Sequence, residues 1–291
     1  MSKISPESIN AQSVDFYINT KCNLSCTTCF LGDEYFRADK AMSLESVSNY
    51  IDFLNKTNVK DVAILGGEST LHPNFIDLLA LFQEKVPHWT VRLVSNGNRF
   101  ARTKFPQYQG LLDAIYVSLD SPHKERNDII RGAGSYCDAV GLLNLTVSSE
   151  LSAVLNMCIS RKNRSDMAEM FKFAIELGVD RLNIHWTSPT GRAANSGISL
   201  NLEEWADCLA EFKIFAKAYE KMLRSDIQTA YNFSEEEVDF GCMIKGMNNI
   251  QIFPDGSVYL CGLHVDDPQM SSIFSKKTKL FLVISVERQE Y

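Results

Sequence analysis

The sequence predicts an α/β fold, a partial (β/α)6, TIM-like barrel followed by a short C-terminal β-hairpin appendage. Two observations support this prediction. Short apolar runs that are typical of buried strands alternate with amphipathic helical segments, as in a parallel sheet with helical crossovers. Glycine-rich and polar motifs recur just after the strands, at the edge where ligands bind in βα folds. With 291 residues, of which 45% are hydrophobic and 22% charged, the chain can build a large globular core.

The predicted strands are short and almost continuously apolar, as expected for strands that are buried on both faces. They lie at 14–19, 61–65, 91–94, 114–119, 151–160 and 181–186. The predicted helices lie at 43–57, 73–85, 166–177 and 202–222, where Ser43 caps the first and Gly178 ends the third. This order gives about six βα units.

The C-terminal part departs from this alternation. The segment NIQIF, the turn residues Pro254, Asp255 and Gly256, and then SVYLC together predict a β-hairpin. We therefore expect two domains, a core barrel at 1–235 and a C-terminal extension at 236–291.

Charge and composition exclude several classes of protein. A net charge of −7 argues against binding to nucleic acid or anionic membranes, and we interpret the basic cluster of Arg99, Arg102 and Lys104 as a small solvated loop. No apolar run approaches the ~20 residues of a transmembrane helix. The first residues lack the apolar core of a signal peptide, so we expect a cytoplasmic protein. In a reducing compartment, the eight cysteines are expected to be ligands, catalytic groups or core residues rather than disulfides.

Three cysteines near the N-terminus form the most informative motif. Cys22, Cys26 and Cys29 follow the first predicted strand in the run KCNLSCTTCF. Three thiolates can hold three irons of a cubane cluster and leave the fourth iron without a protein ligand. The alternative is a structural zinc site, which needs four ligands. The nearest candidates for a fourth are carboxylates such as Asp33, and no histidine lies nearby.

Polar motifs follow three further strands. Gly66, Gly67 and Glu68 follow the second, and Ser95-Asn96-Gly97 follows the third. Glycines allow close backbone approach, and a carboxylate can pair with an ammonium group. These residues are also common in turns and helix caps, so a structural role is the alternative for each.

Three more polar side chains belong to the fourth and fifth predicted strands. Ser118 and Asp120 share one side of an extended chain, so both can face one ligand. Asn156 lies in the middle of an apolar strand, where an unpaired amide is costly. Alternation places Cys158 on the same face as Asn156, toward the barrel interior.

The cysteine spacing and these motifs, in this order, resemble the radical S-adenosylmethionine (SAM) superfamily over roughly residues 14–190. The resemblance implies that Cys22, Cys26 and Cys29 bind a [4Fe–4S] cluster whose open iron is chelated by SAM. One electron from the cluster then cleaves SAM to a 5′-deoxyadenosyl radical, which abstracts hydrogen from a substrate. A flavodoxin, ferredoxin or dedicated reductase would supply that electron.

The resemblance also assigns roles to the polar motifs. It implies SAM contacts for the glycine motif and for the residues after strands three to five, namely Gly66, Gly67, Glu68, Ser95, Asn96, Ser118, Asp120 and Asn156. Arg131 in RGAGSYCDAV would contact the SAM carboxylate or lie on a helix surface. Cys158 would either return a hydrogen atom to a substrate radical or be a small buried hydrophobic residue. Thr28 stands where the family commonly has an aromatic residue.

The C-terminal spacing Cys242-x13-Gly256-x4-Cys261 resembles the start of a SPASM or twitch extension, which holds auxiliary iron–sulfur clusters. No cysteine follows Cys261, so these two residues alone do not complete a second cluster. Three explanations remain open. The chain is truncated or altered near its C-terminus, the cluster is degenerate, or a non-cysteine ligand such as His264 contributes.

Extensions of this kind are frequent in enzymes that modify ribosomally made peptides, so the resemblance predicts a peptide maturase. This step rests on fold-level analogy. One alternative is radical chemistry on a small molecule or cofactor precursor. An alternative of another class is a metal-stabilised binding protein without turnover.

Overall fold

The computed structural model describes residues 11–194, 196–228 and 249–259. These residues form one nine-stranded sheet, which is parallel except for its last strand. The strands are β1 (Ser13–Tyr17), β2 (Asp61–Leu65), β3 (Thr90–Ser95), β4 (Ala114–Ser118), β5 (Ser152–Ile159), β6 (Arg181–Trp186), β7 (Arg224–Gln228), β8 (Asn249–Ile252) and β9 (Val258–Tyr259). Their order across the sheet is β7-β6-β5-β4-β3-β2-β1-β8-β9. The sequence-predicted α/β fold with a mostly parallel, partial barrel sheet is confirmed.

Helices connect the strands and cover the outside of the sheet. They are α1 (Asp33–Arg37), α2 (Leu44–Leu54), α3 (Phe75–Lys85), α4 (Arg99–Tyr108), α5 (Lys124–Arg131), α6 (Ser135–Val147), α7 (Met167–Leu177), α8 (Gly191–Ala194) and α9 (Leu202–Tyr219). The apolar faces of α2, α3, α4, α6, α7 and α9 pack on the outward side chains of the strands in one continuous core. Because side chains alternate along each strand, the remaining side chains point to the concave face of the sheet. They are therefore free to line a ligand site there.

Several helix ends follow the local rules on which the prediction relied. The Ser43 hydroxyl accepts a hydrogen bond from the Ser46 amide at 3.1 Å and caps α2. Gly178 ends α7 in the left-handed conformation, with φ of 76°. The structure begins and ends β2 and β6 at the predicted residues.

One prediction about an element is wrong. The segment with Arg99, Arg102 and Lys104 is the helix α4 rather than a solvated loop. Its N-terminus is capped by the Asn98 side chain, and its buried residues Ala101, Phe105 and Tyr108 recur at helical spacing. The predicted count of six βα units is confirmed, because each of the strands β1 to β6 is followed by a helix. β7 is a further parallel strand beside β6 that the sequence analysis did not predict.

The C-terminal hairpin is confirmed within the described residues, and it joins the main sheet. β8 pairs with β1 in parallel, and β9 pairs with β8 antiparallel. The boundary predicted at 235/236 falls outside the described residues, so the division into two domains stays a prediction. Within the described part of the chain, no helix is long and apolar enough to cross a membrane.

Candidate functional site at the cysteine loop

The loop that carries Cys22, Cys26 and Cys29 leaves β1 at the carboxyl edge of the sheet, and the end of β2 fixes its first part. The Gly67 amide donates to the carbonyl of Asn19 at 2.9 Å, and the Glu68 amide donates to the carbonyl of Lys21 at 2.7 Å. A Cβ atom at Gly67 would lie 2.4 Å from the Lys21 oxygen. The glycine is therefore required by this close approach of two backbones, which sets the position of Cys22.

The middle of the loop is held by the C-terminal end of α5. Thr27 donates to the carbonyl of Ile130 twice, from its amide at 2.9 Å and from its hydroxyl at 3.1 Å. The Cys26 thiol lies 3.5 Å from the carbonyl oxygen of Arg131. These carbonyls belong to the last turn of the helix, where they have no partner within the helix itself.

The last part of the loop packs under the segment that follows β6. The Ala193 amide donates to the carbonyl of Cys29 at 3.1 Å. Gly191 has φ of 56°, and a Cβ there would lie 2.2 Å from the Phe30 oxygen. Arg192 pairs with Asp33 at 2.6 Å and lies over the ring of Phe36. The cysteine loop is thus fixed by three separate elements of the barrel rim.

The Glu68 carboxylate is buried and fully engaged by protein groups. One oxygen accepts from the hydroxyls of Thr70 at 2.7 Å and Ser95 at 2.8 Å, and the other accepts from the Asn96 amide at 2.8 Å. Burial raises the pKa of Glu68, and these hydrogen bonds oppose that shift. Glu68 therefore joins the ends of β2 and β3, and Asn96 extends the connection to Asn23 of the cysteine loop at 2.9 Å.

Asp120 is the centre of a second buried network. One carboxylate oxygen accepts from Thr28 at 3.2 Å and from Arg131 at 3.1 Å, and the other accepts from the Cys158 amide at 2.9 Å. Burial would lower the pKa of Arg131, but the Asp120 charge outweighs it, and the pKa is raised. Arg131 is buried, so the helix-surface interpretation is wrong. Thr28 uses its hydroxyl to attach the cysteine loop to this ion pair.

Side chains of β4, β5 and β6 form a polar wall on the concave face beside this network. Parallel pairing places Ser118 opposite Asn156, Asn156 opposite Asn183, and Cys158 opposite His185. The Asn156 Oδ1 is buried, and none of the described residues donates a hydrogen bond to it. Burial raises the pKa of Cys158, and the neighbouring Asp120 adds to the shift.

Sequence reasoning missed Asn183 and His185. Both interrupt the apolar strand RLNIHW at alternate positions, which is the same signal that identified Asn156. Only the strand register shows that they lie beside Asn156 and Cys158.

The three thiols are close enough to interact electrostatically, and all are largely buried. Burial raises the pKa of Cys22 to about 12 and the pKa of Cys29 to about 11, with smaller contributions from the other thiols. Among the described residues, no three His, Cys, Asp or Glu side chains converge closely enough to hold one metal ion. A cubane cluster takes only one thiolate per iron, so it suits thiols that share a loop without meeting at one point.

A sequence profile identifies the family of this chain. The profile of the radical SAM superfamily matches residues 16–174, more than half of the chain. The chain belongs to the radical SAM superfamily. This family uses a [4Fe–4S] cluster and SAM, as the cysteine motif predicted.

Similar proteins agree with the assignment to radical SAM enzymes. The mycofactocin maturase MftC of Mycobacterium ulcerans is 31% identical over 180 residues, covering 60% of this chain and 47% of MftC. A probable GTP 3′,8-cyclase of Metallosphaera sedula is 20% identical over 263 residues, covering 89% of this chain and 82% of the cyclase. This chain therefore spans about half the length of the MftC relative.

The solved structure of Streptococcus suis SuiB bound to S-adenosylmethionine shares the fold. Its TM-score is 0.73 at 19% identity, over 88% of this chain and 62% of SuiB. SuiB bound to the precursor peptide SuiA gives a TM-score of 0.72 at 18% identity.

The residues of this radical SAM chain fit the family's cofactors. Three thiols on one loop would provide the ligands for three irons, and Asn156 Oδ1, which has no partner among the described residues, would provide a polar group on the concave face. The predicted auxiliary ligands Cys242 and Cys261 lie outside the described residues, and so does His264. A second cluster stays a prediction.

Proposed function

We propose that this radical SAM protein reductively cleaves SAM and uses the radical to modify a peptide. One observation carries the proposal: Cys22, Cys26 and Cys29 lie on a loop that three barrel elements hold beside a polar interior wall. When bound, the cluster and SAM supply a one-electron cleavage that yields a 5′-deoxyadenosyl radical. The protein supplies the thiolates, the orientation of SAM and the exclusion of water.

The proposed SAM contacts line the carboxyl ends of β2 to β5. Gly66 and Gly67 keep the chain close to the cysteine loop, and Glu68 holds Ser95 and Asn96 in one fixed arrangement. Because the Glu68 carboxylate already accepts these hydrogen bonds, we propose that it positions the SAM site and that the peptide oxygens beside it meet the ammonium. Asn156 offers its unpaired Oδ1, and Ser118 lies beside it.

Arg131 and Asp120 are proposed to hold the wall of the SAM site. Their ion pair connects the end of β4 with the last turn of α5, next to Cys26. The Arg131 Nε is buried and donates to no described residue, so it is available to an anionic group such as the SAM carboxylate.

Cys158 is proposed to donate a hydrogen atom to a substrate radical. Its raised pKa keeps the sulfur protonated at neutral pH, so the S–H bond is retained in the resting protein. It faces the interior in the register of His185, close enough to Cys26 and Cys29 to interact with their charges. Replacement by alanine is expected to leave SAM cleavage intact and to change the fate of the substrate radical.

A peptide substrate is supported by the kinds of relatives that share this fold. SuiB was solved with its precursor peptide, and MftC is named a maturase. We also propose that the protein works in the cytoplasm, where a flavodoxin, ferredoxin or reductase can supply the electron. Epimerisation, thioether formation and carbon–carbon crosslinking are all compatible with one hydrogen abstraction.

Radical chemistry on a small molecule is the second candidate. It is favoured by the match to the GTP 3′,8-cyclase, which extends over most of both chains. Incubation of the reduced, SAM-loaded protein with GTP distinguishes the two, because only the second candidate predicts a modified nucleotide.

Anaerobic reconstitution tests the enzymatic activity itself. Protein loaded with iron and sulfide and reduced with dithionite is expected to release 5′-deoxyadenosine from SAM. The variant with Cys22, Cys26 and Cys29 all replaced by alanine is expected to release none. If the reconstituted wild type forms no 5′-deoxyadenosine, the protein is instead a metal-stabilised binding protein without turnover.

A further inference from the structure

Buried polar atoms that have no partner among the described residues gather on the wall formed by β5 and β6. Five of these atoms lie on β5, on β6 and just after β6: Asn156 Oδ1, Asn183 Oδ1, Asn183 Nδ2, His185 Nε2 and Thr187 Oγ1. Most buried polar groups in proteins are hydrogen-bonded, and an unpaired one is costly. A cluster of five on one side of the barrel therefore indicates groups that are reserved for a ligand.

Asn183 is the most informative member because both ends of its amide are unpaired. The side chain is 1% exposed, and within the described part of the chain neither Oδ1 nor Nδ2 has a hydrogen-bond partner. A primary amide presents one acceptor and two donors in one plane. A peptide group presents the matching set, one N–H and one C=O, so the two can form a pair of hydrogen bonds.

The fold places the Asn183 amide on the concave face of the barrel sheet. Leu182 and Ile184 are fully buried in the core on the helical side, so alternation places Asn183 and His185 on the concave face. Pairing with β5 sets Asn183 beside Asn156 and His185 beside Cys158.

We propose that Asn183, with His185 beside it, binds a backbone peptide group of the substrate and so places the adjacent Cα–H for hydrogen abstraction. This inference rests on the proposed function and names what the same site recognises. Hydrogen transfer then balances simply: the substrate loses one hydrogen atom, and the 5′-deoxyadenosyl radical becomes 5′-deoxyadenosine.

The state of His185 agrees with a hydrogen-bonding role. Burial lowers its pKa to about 4, and the charge of Asp120 opposes this shift. The imidazole is therefore neutral at neutral pH, with one nitrogen as donor and the other as acceptor. Asp120 and Cys158 are the titratable groups that face it from β4 and β5.

A blocked amino acid tests the inference without knowledge of the natural substrate. The probe is N-acetylglycine N-methylamide with both glycine Cα hydrogens replaced by deuterium. Reconstituted protein is reduced with dithionite in the presence of SAM and probe, and the deuterium content of 5′-deoxyadenosine is measured by mass spectrometry. Wild type is expected to incorporate deuterium. Asn183→Leu is expected to lower the incorporated fraction at least about tenfold, as loss of paired buried hydrogen bonds predicts.

Matched variants separate recognition from folding. Asn144→Leu makes the same change on the exposed side of α6 and is expected to match wild type. His185→Gln keeps a neutral polar group and is expected to lower incorporation less than Asn183→Leu. Deuterium incorporation is expressed per 5′-deoxyadenosine released, so a variant that also slows SAM cleavage is still compared directly with wild type. If Asn183→Leu fails to fold, Asn183→Asp replaces it, since it keeps the shape and removes the donor.

Saturation-transfer NMR with the same probe provides a readout that does not depend on turnover. Binding to wild type and loss of binding in Asn183→Leu would support the inference even if no 5′-deoxyadenosine forms, which would overturn only the proposed activity. Equal binding and equal deuterium incorporation in wild type and Asn183→Leu would overturn it. Deuterium transfer from ribose-deuterated GTP without transfer from the probe would also overturn the inference. Failure of both wild type and Asn183→Leu to bind the probe would overturn it as well, because Asn183 would then hold only structural water.

Discussion

At the scale of single residues, the site depends on buried charges and amides whose partners belong to different elements. Asp120 is fully buried. It accepts hydrogen bonds from Thr28 of the cysteine loop, Arg131 of α5 and Cys158 of β5. The sequence identified Asp120 as a site residue from its position after a strand. Its partners could not be predicted, because Thr28, Arg131 and Cys158 are brought to it only by the closed fold.

Asp120→Asn is expected to destabilise the protein by about 3 kcal/mol, because it leaves the Arg131 charge buried without a counter-charge. The double variant Asp120→Asn with Arg131→Met is expected to be more stable than the single one, since it removes both charges. Urea unfolding of the iron-free proteins measures the difference. A single variant within about 0.5 kcal/mol of wild type would contradict the assigned ion pair.

His185 is expected to make stability depend on pH. Its folded pKa of about 4 lies below the ordinary 6.5, so the unfolded chain binds the proton more tightly. Stability from this group is fully present above about 6.5 and is lost as pH falls toward 4. The loss amounts to about 3 kcal/mol, from 1.36 kcal/mol per pKa unit.

The measurement compares unfolding free energies of wild type and His185→Gln across this pH window. The wild type is expected to lose stability relative to the variant as the pH falls. Parallel curves would show that folding leaves the pKa of His185 unchanged and would contradict its lowered value.

At the scale of elements, the cysteine loop is rigid because neighbouring rim segments touch its backbone directly. Gly67 was expected to allow close backbone approach, and the structure shows that the approaching backbone is that of the cysteine loop, as it also is at Gly191. At both positions a side chain would collide with a carbonyl oxygen of the cysteine loop or the strand end before it. Sequence alone shows that a glycine is present, and only the fold shows which backbone it approaches.

Gly191→Ala is expected to displace the cysteine loop and to lower iron content after reconstitution. The new Cβ would lie 2.2 Å from the Phe30 oxygen, and alanine at φ of 56° is also strained. Gly197→Ala is the matched control, because its φ of 64° carries the same strain but nothing lies within 4 Å. Its expected cost is about 1 kcal/mol with normal iron content. Equal iron content in both variants would contradict the close approach of Gly191 to the Phe30 carbonyl oxygen.

The errors at this scale have physical causes. α4 was missed because its many basic and polar residues obscured the buried positions at Ala101, Phe105 and Tyr108. β7 was missed because RSDIQ is mostly polar and is recognisable as a strand only from its pairing with β6. By contrast, β2 and β6 were predicted at their observed bounds because their apolar runs end at glycines or polar turns.

At the scale of the whole molecule, the described hairpin pairs with the first strand of the barrel sheet. β8 pairs with β1, and Phe253 stacks on Tyr17 at 4.2 Å between nearly parallel rings. Tyr17 in turn contacts Phe30 of the cysteine loop. This long-range pairing joins residues more than 230 positions apart, which no local sequence pattern predicts.

Phe253→Ala is expected to destabilise the protein by about 3–5 kcal/mol, the usual cost of removing a buried aromatic ring. It should also weaken iron retention, because the ring supports the aromatic cluster beneath the cysteine loop. Phe100→Ala removes a ring that is 58% exposed and is expected to change neither property. Similar stability in the two variants would show that the hairpin is not anchored as described.

The most direct test of the account is the iron content of anaerobically reconstituted protein. Wild type is expected to bind at least about four irons per chain, as one cubane requires. The variant with Cys22, Cys26 and Cys29 replaced by alanine should lose about four irons, while the Cys137→Ala and Cys208→Ala control should lose none. Iron that remains in the triple variant would belong to a second site at Cys242 and Cys261. A triple variant that keeps all of the wild-type iron would contradict the proposal that Cys22, Cys26 and Cys29 bind the cluster.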